Sequence, residues 1–486
     1  MPGAVRYLFL THRYLGIAVS LLMVMWCLSG AVMMYVSYPR LSASLRQSAL
    51  APLDLGGCCA APAAISPESL VEGARMEMAA GRAVALLQIG GRREAIDLKT
   101  GQHAVFSPEQ AADVAREFAA HERLPLKFNA AEIVNDDQWT VAGDFRADRP
   151  LYKFSWDDPR RTDLYVSSTS GQAVQLTNSS QRFWNWLGSV PHWVYFTALR
   201  RHAGWWSWTV IVVSLLGCFL TAIGIFIGIF IGISQLRQRP LDRWTPYRGF
   251  MAWHHIPGVI FGVFALTWVF SGLLSMNPWG LLEGDAGGTE SRRIQGAPLS
   301  WKQVQAALLQ MSASGALKGV VALRTSEFDG RLFFVADYAD GRRLRLDAQG
   351  VEAPLSGAEL KLEIQRITGD QPSTPQLLNA ADSYYFPHHD EFLPFPVHRL
   401  LLDEAGRRRY YLDPASGEIL LKIDQAARGY RWLYQGLHRW DLSAALRRRP
   451  GWDIFTLCLL SGAALVCATG LYAAVRRIRL GLKGIK

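Results

Sequence analysis

Four long stretches of the chain are apolar and free of charged residues, and two long polar segments separate them. The apolar stretches run from Tyr14 to Pro39, from Ala203 to Leu236, from Gly249 to Leu282 and from Ile454 to Val475. A helix needs about 20 such residues to cross a bilayer. The pattern therefore predicts four transmembrane helices. The first is expected to be an uncleaved anchor, because its apolar run is too long for a signal peptide.

The two polar segments, roughly 39–202 and 283–453, have the sequence patterns of α+β domains. Apolar residues recur at helical spacing in Ser300–Met311 and Pro108–His121, and Ser66-Pro-Glu-Ser has the composition of a helix start. Strands are predicted at Arg82–Ile89, Arg93–Leu98, Gly319–Arg324, Arg331–Tyr338 and Arg342–Asp347, with hairpins at Tyr165–Leu176 and Tyr410–Leu421. We therefore expect two α+β lobes.

The positive charge of the chain is concentrated beside the predicted helices. The 486 residues include 51 Lys and Arg against 41 Asp and Glu. The excess lies in the N-terminus, in the loop 237–250 and in the tail 476–486. The positive-inside rule predicts that these three segments are cytoplasmic and that both lobes are on the opposite face of the membrane. The positive charge is therefore a membrane signal, and we expect no nucleic-acid partner.

The six cysteines do not indicate a disulfide framework. Four of them, Cys27, Cys218, Cys458 and Cys467, lie in the predicted spans. Cys58 and Cys59 are adjacent, so that a bond between them would be strained. The chain contains no CxxC or CxxCH motif, which excludes covalently attached haem and a CxxC metal site.

The chain contains an internal repeat, with an offset of 242 residues in the helices and 246 in the lobes. In the helices, His12-Arg-Tyr-Leu-Gly16 matches His254-His-Ile-Pro-Gly258, and Ser29-Gly30 matches Ser271-Gly272. In the lobes, the matches are Pro150 with Pro396, Tyr165 with Tyr411, Ser170-Gly171 with Ser416-Gly417, Trp186-Leu187 with Trp432-Leu433, and His192 with His438. The repeat predicts two helix–lobe–helix copies, related by a pseudo-twofold axis along the membrane normal.

The spans, lobes and charges together give a domain plan. We expect an N-terminus and first helix at 1–38, a first lobe at 39–190, an interfacial segment and second helix at 191–236, a cytoplasmic loop at 237–250, a third helix at 251–280, a second lobe at 281–430, an interfacial segment and fourth helix at 431–475, and a cytoplasmic tail at 476–486. The predicted fold class is an α-helical membrane protein with four transmembrane helices in a 2+2 duplication with parallel repeats, and two α+β lobes.

Four of the eleven histidines obey the repeat. His12 matches His254 at the cytoplasmic ends of spans one and three, and His192 matches His438 just before spans two and four. The pseudo-twofold axis brings each residue toward its equivalent, which predicts one histidine pair near each face of the membrane. A low-spin b-type haem needs two neutral imidazoles on opposite sides of its iron. We therefore predict that these two pairs ligate the irons of two haems b per chain.

Glycines share the helix faces of the matched histidines. Gly16 and Gly258 follow the histidines by four residues, and Gly30 and Gly272 follow them by 18 residues, which is five helical turns. We expect these glycines to make room for a flat macrocycle. The alternative is that the histidines are ordinary interfacial residues and that the glycines serve helix packing alone. A further stripe, Gly224, Gly228 and Gly232, predicts close helix contact.

Charged and aromatic residues also cluster at the outer ends of spans two and four. Arg200, Arg201 and Arg448 either bind haem propionates or another anion, or form an interfacial cluster whose charged ends reach water. The tryptophans of this region are expected to form an interfacial belt. They are Trp184, Trp186, Trp193, Trp205, Trp206 and Trp208.

The densest polar cluster outside the membrane belongs to the second lobe alone. It comprises His388, His389 and Asp390, and the matching positions of the first lobe contain no histidine. The cluster either binds a metal or a metal-bearing substrate, or lies in a solvated loop. His202 and His255 receive no role from the sequence.

Several motifs spread over nearly the whole chain match one family of membrane proteins. They are the H-x-x-x-G opening of span one and its later Ser-Gly, Tyr410-Tyr-Leu-Asp-Pro-Ala-Ser-Gly417, Tyr430-Arg-Trp-Leu-Tyr-Gln-Gly-Leu-His438, and Pro450-Gly-Trp-Asp453. With these motifs the chain resembles the PepSY-associated transmembrane family, often called iron-regulated membrane proteins. The resemblance implies PepSY-like periplasmic lobes, each a helix on an antiparallel sheet, and a role in iron metabolism at the bacterial inner membrane. Some members of similar layout reduce ferric siderophores with two haems b.

The expected function is therefore that of a transmembrane ferric-chelate reductase. An electron enters at His12 and His254, crosses to His192 and His438, and reduces a ferric chelate, such as a ferric siderophore, held by the lobes. The donor is expected to be a quinol or a separate cytosolic reductase, because the chain has no GxGxxG or P-loop motif and its cytoplasmic segments are short. The alternatives are a non-enzymatic regulator whose lobes bind peptides, and a component of an iron or chelate transporter.

Overall fold

Four long apolar helices form the membrane part of the protein. They are α1 (Gly3–Met33), α7 (Ala203–Gln238), α8 (Phe250–Ser275) and α14 (Gly451–Lys483). The computed structural model describes residues 3–60, 64–238, 244–387, 393–402, 407–443 and 445–483. Within these residues each of the four helices is long and apolar enough to cross a bilayer. The predicted number of membrane-spanning helices is therefore confirmed.

The first and third spans end earlier than the apolar pattern predicted. Helix α1 begins at Gly3 and ends at Met33, so the predicted limits of Tyr14 and Pro39 were wrong at both ends and His12 lies inside the helix. Helix α8 ends at Ser275 instead of continuing to Leu282. The residues after it break the helix, because Asn277 and Trp279 adopt left-handed backbone conformations with φ of 44° and 61°.

Ten shorter helices connect and flank these spans in the described residues. They are α2 (Ala43–Ser48), α3 (Pro108–Glu122), α4 (Ser179–Leu187), α5 (Ser189–His192), α6 (Thr197–Arg200), α9 (Gly288–Gln295), α10 (Trp301–Ser314), α11 (Gly357–Thr368), α12 (Gln425–Gly429) and α13 (Leu437–Arg439). A π-helical turn, Tyr430–Gly436, connects the last two. Capping boxes at Ser107, Ser300 and Ser356 fix the starts of α3, α10 and α11, which confirms the two predicted lobe helices.

Sixteen strands build the sheets of the described residues. They are β1 (Leu70–Val71), β2 (Gly73–Ala79), β3 (Arg82–Ile89), β4 (Arg92–Asp97), β5 (Glu132–Val134), β6 (Leu151–Ser155), β7 (Asp163–Ser167), β8 (Ala173–Thr177), β9 (Leu299–Ser300), β10 (Val320–Phe328), β11 (Arg331–Tyr338), β12 (Arg343–Asp347), β13 (Gln376–Leu378), β14 (Val397–Leu402), β15 (Arg408–Leu412) and β16 (Ile419–Ile423). The five predicted strands and both predicted hairpins are confirmed, with ends that differ by a few residues.

The chain divides into a helical unit and a sheet-containing unit. The helical unit comprises Met1–Tyr38, Phe183–Gly284 and Ala426–Lys486, and the other unit comprises Pro39–Arg182 and Asp285–Gln425. The two polar segments, which the sequence pattern suggested as separate lobes, therefore belong to one compact unit. Each unit combines residues from both halves of the chain.

A six-stranded antiparallel sheet joins the two polar segments. Its strand order is β12-β11-β10-β2-β3-β4, and β2 and β10 pair at the centre with Met76 opposite Leu323. Helix α10 packs on this sheet through Trp301, Leu308 and Met311, in a core that contains residues of both segments. Pairing β2 with β10 satisfies the backbone groups of two strands that would otherwise be exposed edges. This pairing explains why the segments do not fold as independent lobes.

Each polar segment also has a four-stranded antiparallel sheet covered by one helix. The sheet β5-β6-β7-β8 packs against α3 through Phe118, Phe154 and Leu164. The sheet β13-β14-β15-β16 packs against α11, where Ile364 and Leu400 are fully buried. Amphipathic helices on half-buried sheets are a common way to close an α+β core.

One local expectation was wrong. The segment starting at Ser66 is a turn, because the Ser69 N–H donates to the Ser66 carbonyl and the chain then enters β1, where Leu70 pairs with Ser300.

Candidate functional site

Two pairs of histidine rings lie side by side in the helical unit. The ring centroids of His12 and His254 are 6.3 Å apart, with an angle of 39° between the ring planes. The centroids of His192 and His438 are 6.1 Å apart, with an angle of 72°. We call His12 and His254 the first histidine pair, and His192 and His438 the second. Each pair contains one residue from either half of the chain, at the positions that the sequence repeat relates.

The two pairs occupy different heights in the bundle. His12 lies on α1 and His254 on α8, inside the membrane-spanning stretches. His192 and His438 lie outside those stretches, at the ends of the short helices α5 and α13. His192 contacts α1 at Ser29, which is 17 residues beyond His12. At 1.5 Å per residue, the pairs are separated by about 26 Å along this helix.

Backbone carbonyls fix the rings of the first pair. His12 Nδ1 is 3.1 Å from the carbonyl oxygen of Leu220, and His254 Nδ1 is 3.2 Å from that of Val466. A carbonyl only accepts, so both Nδ1 atoms carry the proton and donate. The hydroxyl of Thr469 is a second acceptor for His254, at 3.1 Å, because it donates its own proton to the Leu465 carbonyl.

Serine hydroxyls fix the rings of the second pair. His192 Nδ1 is 3.1 Å from Ser29 Oγ, and His438 Nδ1 is 3.0 Å from Ser271 Oγ. Each hydroxyl donates to a carbonyl of its own helix, 2.7 Å away for Ser29 and 3.1 Å for Ser271. The serine oxygens therefore accept from Nδ1–H, and both histidines have the same tautomer as the first pair.

In all four imidazoles Nδ1 thus carries a proton and donates it to a fixed acceptor. Among the described residues, no hydrogen bond occupies Nε2 of any of the four. Burial lowers the pKa of His192 to about 4 and that of His438 to about 3, so both rings of the second pair are neutral near pH 7. A protonated Nδ1 with a hydrogen-bonded partner is the usual state of a histidine that binds a metal through Nε2.

The spacing of the rings fits one iron between each pair. Two imidazole–metal bonds of about 2.0 Å, plus about 1.1 Å from each Nε2 to its ring centroid, place the centroids about 6.3 Å apart. The observed separations are 6.3 Å and 6.1 Å. The centroid separations therefore match the value calculated for two imidazoles on one iron.

Glycines adjoin all four rings. A Cβ atom would be 3.4 Å from His192 Cε1 if added to Gly30, and 3.6 Å from His438 Cε1 if added to Gly272. At Gly16 and Gly258 a Cβ atom would meet a single methyl carbon, at 3.9 Å in both cases (Leu220 and Val466). A Cβ atom at either position would therefore be in ordinary van der Waals contact with one neighbouring side chain.

Two further glycines crowd the first pair. A Cβ atom on Gly224 would be 2.6 Å from His12 Cε1, and one on Gly470 would be 3.2 Å from His254 Cε1. Gly224 had been assigned to a helix-packing stripe together with Gly228 and Gly232. That assignment holds for Gly228, where a Cβ atom would collide with Val259 of α8. At Gly232 a Cβ atom would instead collide with Trp244 of the loop before α8, and Gly224 makes room for a histidine.

Sequence reasoning missed several residues that support the rings. The indole N–H of Trp26 donates to the His192 carbonyl at 2.9 Å, and that of Trp268 donates to the His438 carbonyl at 3.0 Å. These tryptophans have the same 242-residue offset as the matched histidines, and Gly224 and Gly470 have the 246-residue offset. A search for all identical residues at these offsets would have found them. Thr469 has no such equivalent and left no signal.

The remaining histidine candidates do not join these pairs. His255 is buried, with Nδ1 2.8 Å from the Thr245 hydroxyl and Nε2 2.9 Å from the Gly228 carbonyl, so neither nitrogen is available to a ligand. His202 is exposed. His388, His389 and Asp390 lie outside the described residues. Within those residues, no cluster of three or more His, Cys, Asp or Glu side chains is arranged to hold a bare metal ion.

The arginine candidates differ from one another. The Arg200 guanidinium stacks on Trp206 at 4.7 Å and on Tyr195 at 5.1 Å, and its Nε is buried without a hydrogen-bond partner in the described part of the chain. Arg201 and Arg448 are exposed. Of the six belt tryptophans, all except Trp206 are exposed, which is consistent with contact to lipid headgroups.

Comparison with known proteins identifies one matching family. The family model described as the PepSY-associated TM region matches residues 9–327, which is more than half of the chain and includes His12, His192 and His254. A search of curated proteins found no match.

Proposed function

The chain belongs to the PepSY-associated transmembrane family, and on this premise we propose that it is a membrane oxidoreductase that passes electrons through two haems b to ferric iron. The observation that carries this proposal is the state of the four matched histidines. Each donates Nδ1–H to a fixed acceptor, which leaves Nε2 available, and each pair has the spacing of one bis-imidazole iron. Haem b held in this way changes between ferric and ferrous states and supplies one electron at a time.

The internal repeat provides the arrangement that such a function needs. We interpret the chain as two parallel copies of a helix–lobe–helix unit, with one histidine of each pair contributed by either copy. The contacts of Trp26 and Ser29 with His192 recur as those of Trp268 and Ser271 with His438, which supports this interpretation. A pseudo-twofold axis makes two equivalent imidazoles meet at one point, which is the requirement of a bis-imidazole site.

We place the first histidine pair toward the cytoplasm and the second toward the periplasm of a bacterial inner membrane. The positive charge of the loop and tail supports cytoplasmic termini, because Arg and Lys are retained on that side. The carbonyl of Leu220 and the hydroxyls of Ser29 and Ser271 hold their histidine rings in place at these two heights. An electron donated on the cytoplasmic side thereby reaches the face on which the substrate iron arrives.

The substrate in this proposal is ferric iron in a hard-oxygen chelate such as a siderophore. Adding one electron converts the bound ferric ion to ferrous ion, which oxygen chelators hold far less tightly, so the metal is released. Arg200, which has a buried and unsatisfied Nε among the described residues, is a candidate partner for an anionic group near the second histidine pair. The electron donor is a quinol or a cytosolic reductase, since the chain has no nucleotide-binding motif.

The visible spectrum of the purified protein tests this function directly. We expect a Soret band that shifts on reduction, with about two haems per chain by pyridine haemochrome assay. The low-spin spectrum of a bis-imidazole haem is expected, because the rings of each pair are positioned for one metal ion. A colourless preparation from haem-replete cells contradicts the proposal and favours a peptide-binding regulator.

Substitution of Gly224 by alanine tests whether the crowded glycines are needed. The new Cβ atom is 2.6 Å from His12 Cε1, closer than van der Waals contact, so the ring must move away from its partner. We expect the haem content of Gly224→Ala to fall from about two toward one per chain, as measured by haemochrome assay.

The control for this prediction is Gly481→Ala. It is also a helical glycine, but a Cβ atom there meets nothing within 4 Å. Equal haem contents in Gly224→Ala and Gly481→Ala show that the close approach to His12 has no part in cofactor binding.

A further inference from the structure

The two histidine pairs differ in the kind of atom that accepts their Nδ1–H hydrogen bonds. In the first pair, His12 donates to a backbone carbonyl and His254 to a carbonyl and a hydroxyl. In the second pair, both acceptors are serine hydroxyls. The distances are similar, 3.0 to 3.2 Å, so the contrast lies in the chemistry of the acceptors.

The acceptor determines how strongly an imidazole donates electrons to a metal. An amide carbonyl draws the Nδ1 proton more strongly than an aliphatic hydroxyl does, because its oxygen has the larger negative partial charge. The ring is then closer to an imidazolate and is the more basic ligand at Nε2. A more basic ligand stabilises the ferric state over the ferrous state and lowers the reduction potential of the site.

We propose that the carbonyl acceptors of the first histidine pair and the serine acceptors of the second create a potential difference that drives electrons from the first site to the second. The inference rests on the proposed function, since it needs a haem at each pair. One electron leaves the first site and enters the second, so the first is oxidised by one electron and the second is reduced by one. No proton moves, because every Nδ1–H stays in its hydrogen bond. Ser29 and Ser271 are thus positioning residues that tune the receiving site.

Redox titration of single-site proteins measures the two potentials separately. In His192→Ala only the first site is loaded, and in His12→Ala only the second site is loaded. Spectroelectrochemical titration is expected to give a lower midpoint potential for His192→Ala than for His12→Ala. Equal potentials, or the reverse order, overturn the inference.

Substitution of Ser271 tests the role of its hydroxyl in the His12→Ala protein. Ser271→Ala removes the acceptor and should raise the midpoint potential of the second site. Ser271→Asp supplies a carboxylate, a stronger acceptor, and should lower it, while Ser271→Thr keeps a hydroxyl and should keep the potential of the parent protein. A low-spin spectrum must persist in each variant. Potentials that do not change with the acceptor contradict the inference.

Thr469 tests the first site in the same way. In the His192→Ala protein, Thr469→Val removes the second acceptor of His254 and should raise the midpoint potential. Thr221→Val is the matched control, because Thr221 also donates to the carbonyl four residues earlier in its helix, at 2.8 Å, but has no histidine partner. If both variants shift equally, the shift is not due to the hydrogen bond with His254.

These outcomes separate the inference from the function on which it rests. A wild-type protein without haem contradicts both the inference and the proposed function. If the protein binds two haems but their midpoint potentials do not change with the acceptor substitutions, the inference is contradicted and the proposed function is not.

Discussion

We expect alanine at His12 or His254 to remove one of two haems per chain, and alanine at His192 or His438 to remove the other. The reason is that each iron in the proposed function needs two Nε2 ligands, and the rings of each pair lie at a matching spacing, with centroids 6.3 Å and 6.1 Å apart. The haem content should fall from about two to about one per chain in each single variant. Haemochrome assay gives the number, and redox titration shows which site remains.

Combinations of variants make this prediction specific to the pairs. The double variant His12→Ala with His254→Ala should retain one haem, as each single variant does. His12→Ala with His192→Ala should retain none. His202→Ala is the control, because His202 is exposed and has no place in either pair, and it should keep both haems. If His12→Ala and His192→Ala lose the same haem, the pairing is wrong.

Loss of either pair should also abolish electron transfer across a membrane. The pairs are about 26 Å apart along α1, and electron transfer slows exponentially with distance. With one site empty, no redox centre remains near one face of the hydrocarbon layer, which is about 30 Å thick. We expect the rate of external ferric-chelate reduction to fall to that of protein-free vesicles in His12→Ala and in His438→Ala.

Sealed proteoliposomes provide the measurement. An impermeant reductant is trapped inside, a ferric chelate is added outside, and a colorimetric ferrous chelator reports product. The His202→Ala protein is again the control and should retain the wild-type rate. Wild-type transfer that persists in the histidine variants shows that the electron takes another route. Wild-type protein that binds two haems but reduces no ferric chelate shows that the acceptor has been misidentified.

The candidate ligands could be found in the sequence because an internal repeat marks equivalent positions. His12 and His254 share the 242-residue offset, and His192 and His438 share the 246-residue offset, whereas His255 has no matching histidine. The repeat also contained Trp26 and Trp268, whose indole groups hold the second pair, but nothing in the pattern indicated their role. The sequence identified which residues are equivalent without revealing what they touch.

The surroundings of the rings depend on how distant segments pack. His12 donates to a carbonyl 208 residues away, His192 meets a hydroxyl 163 residues away, and His254 meets Thr469, 215 residues away. Backbone carbonyls are present at every position, so composition cannot indicate which one accepts. The difference between carbonyl and serine acceptors, from which we infer a potential difference, is therefore absent from the sequence pattern.

The sheet-containing unit shows the same division between local and distant information. Apolar spacing over a few turns predicted the two helices Pro108–His121 and Ser300–Met311, and capping boxes at Ser107 and Ser300 fix where they start. The pairing of β2 with β10, about 250 residues apart, left no local mark, and the two polar segments were expected to fold as separate lobes.

The sequence by itself determined the four apolar helices, the distribution of charge, the capped lobe helices and the four histidines that obey the repeat. These features follow from hydrophobic length, helical periodicity and capping, which act over a few turns of the chain. Only the tertiary structure decided that His12 meets His254 and His192 meets His438, which acceptor each Nδ1 reaches, and that Gly224 makes room for His12. Those contacts depend on the register between helices far apart in the chain, which is set by packing rather than by local pattern.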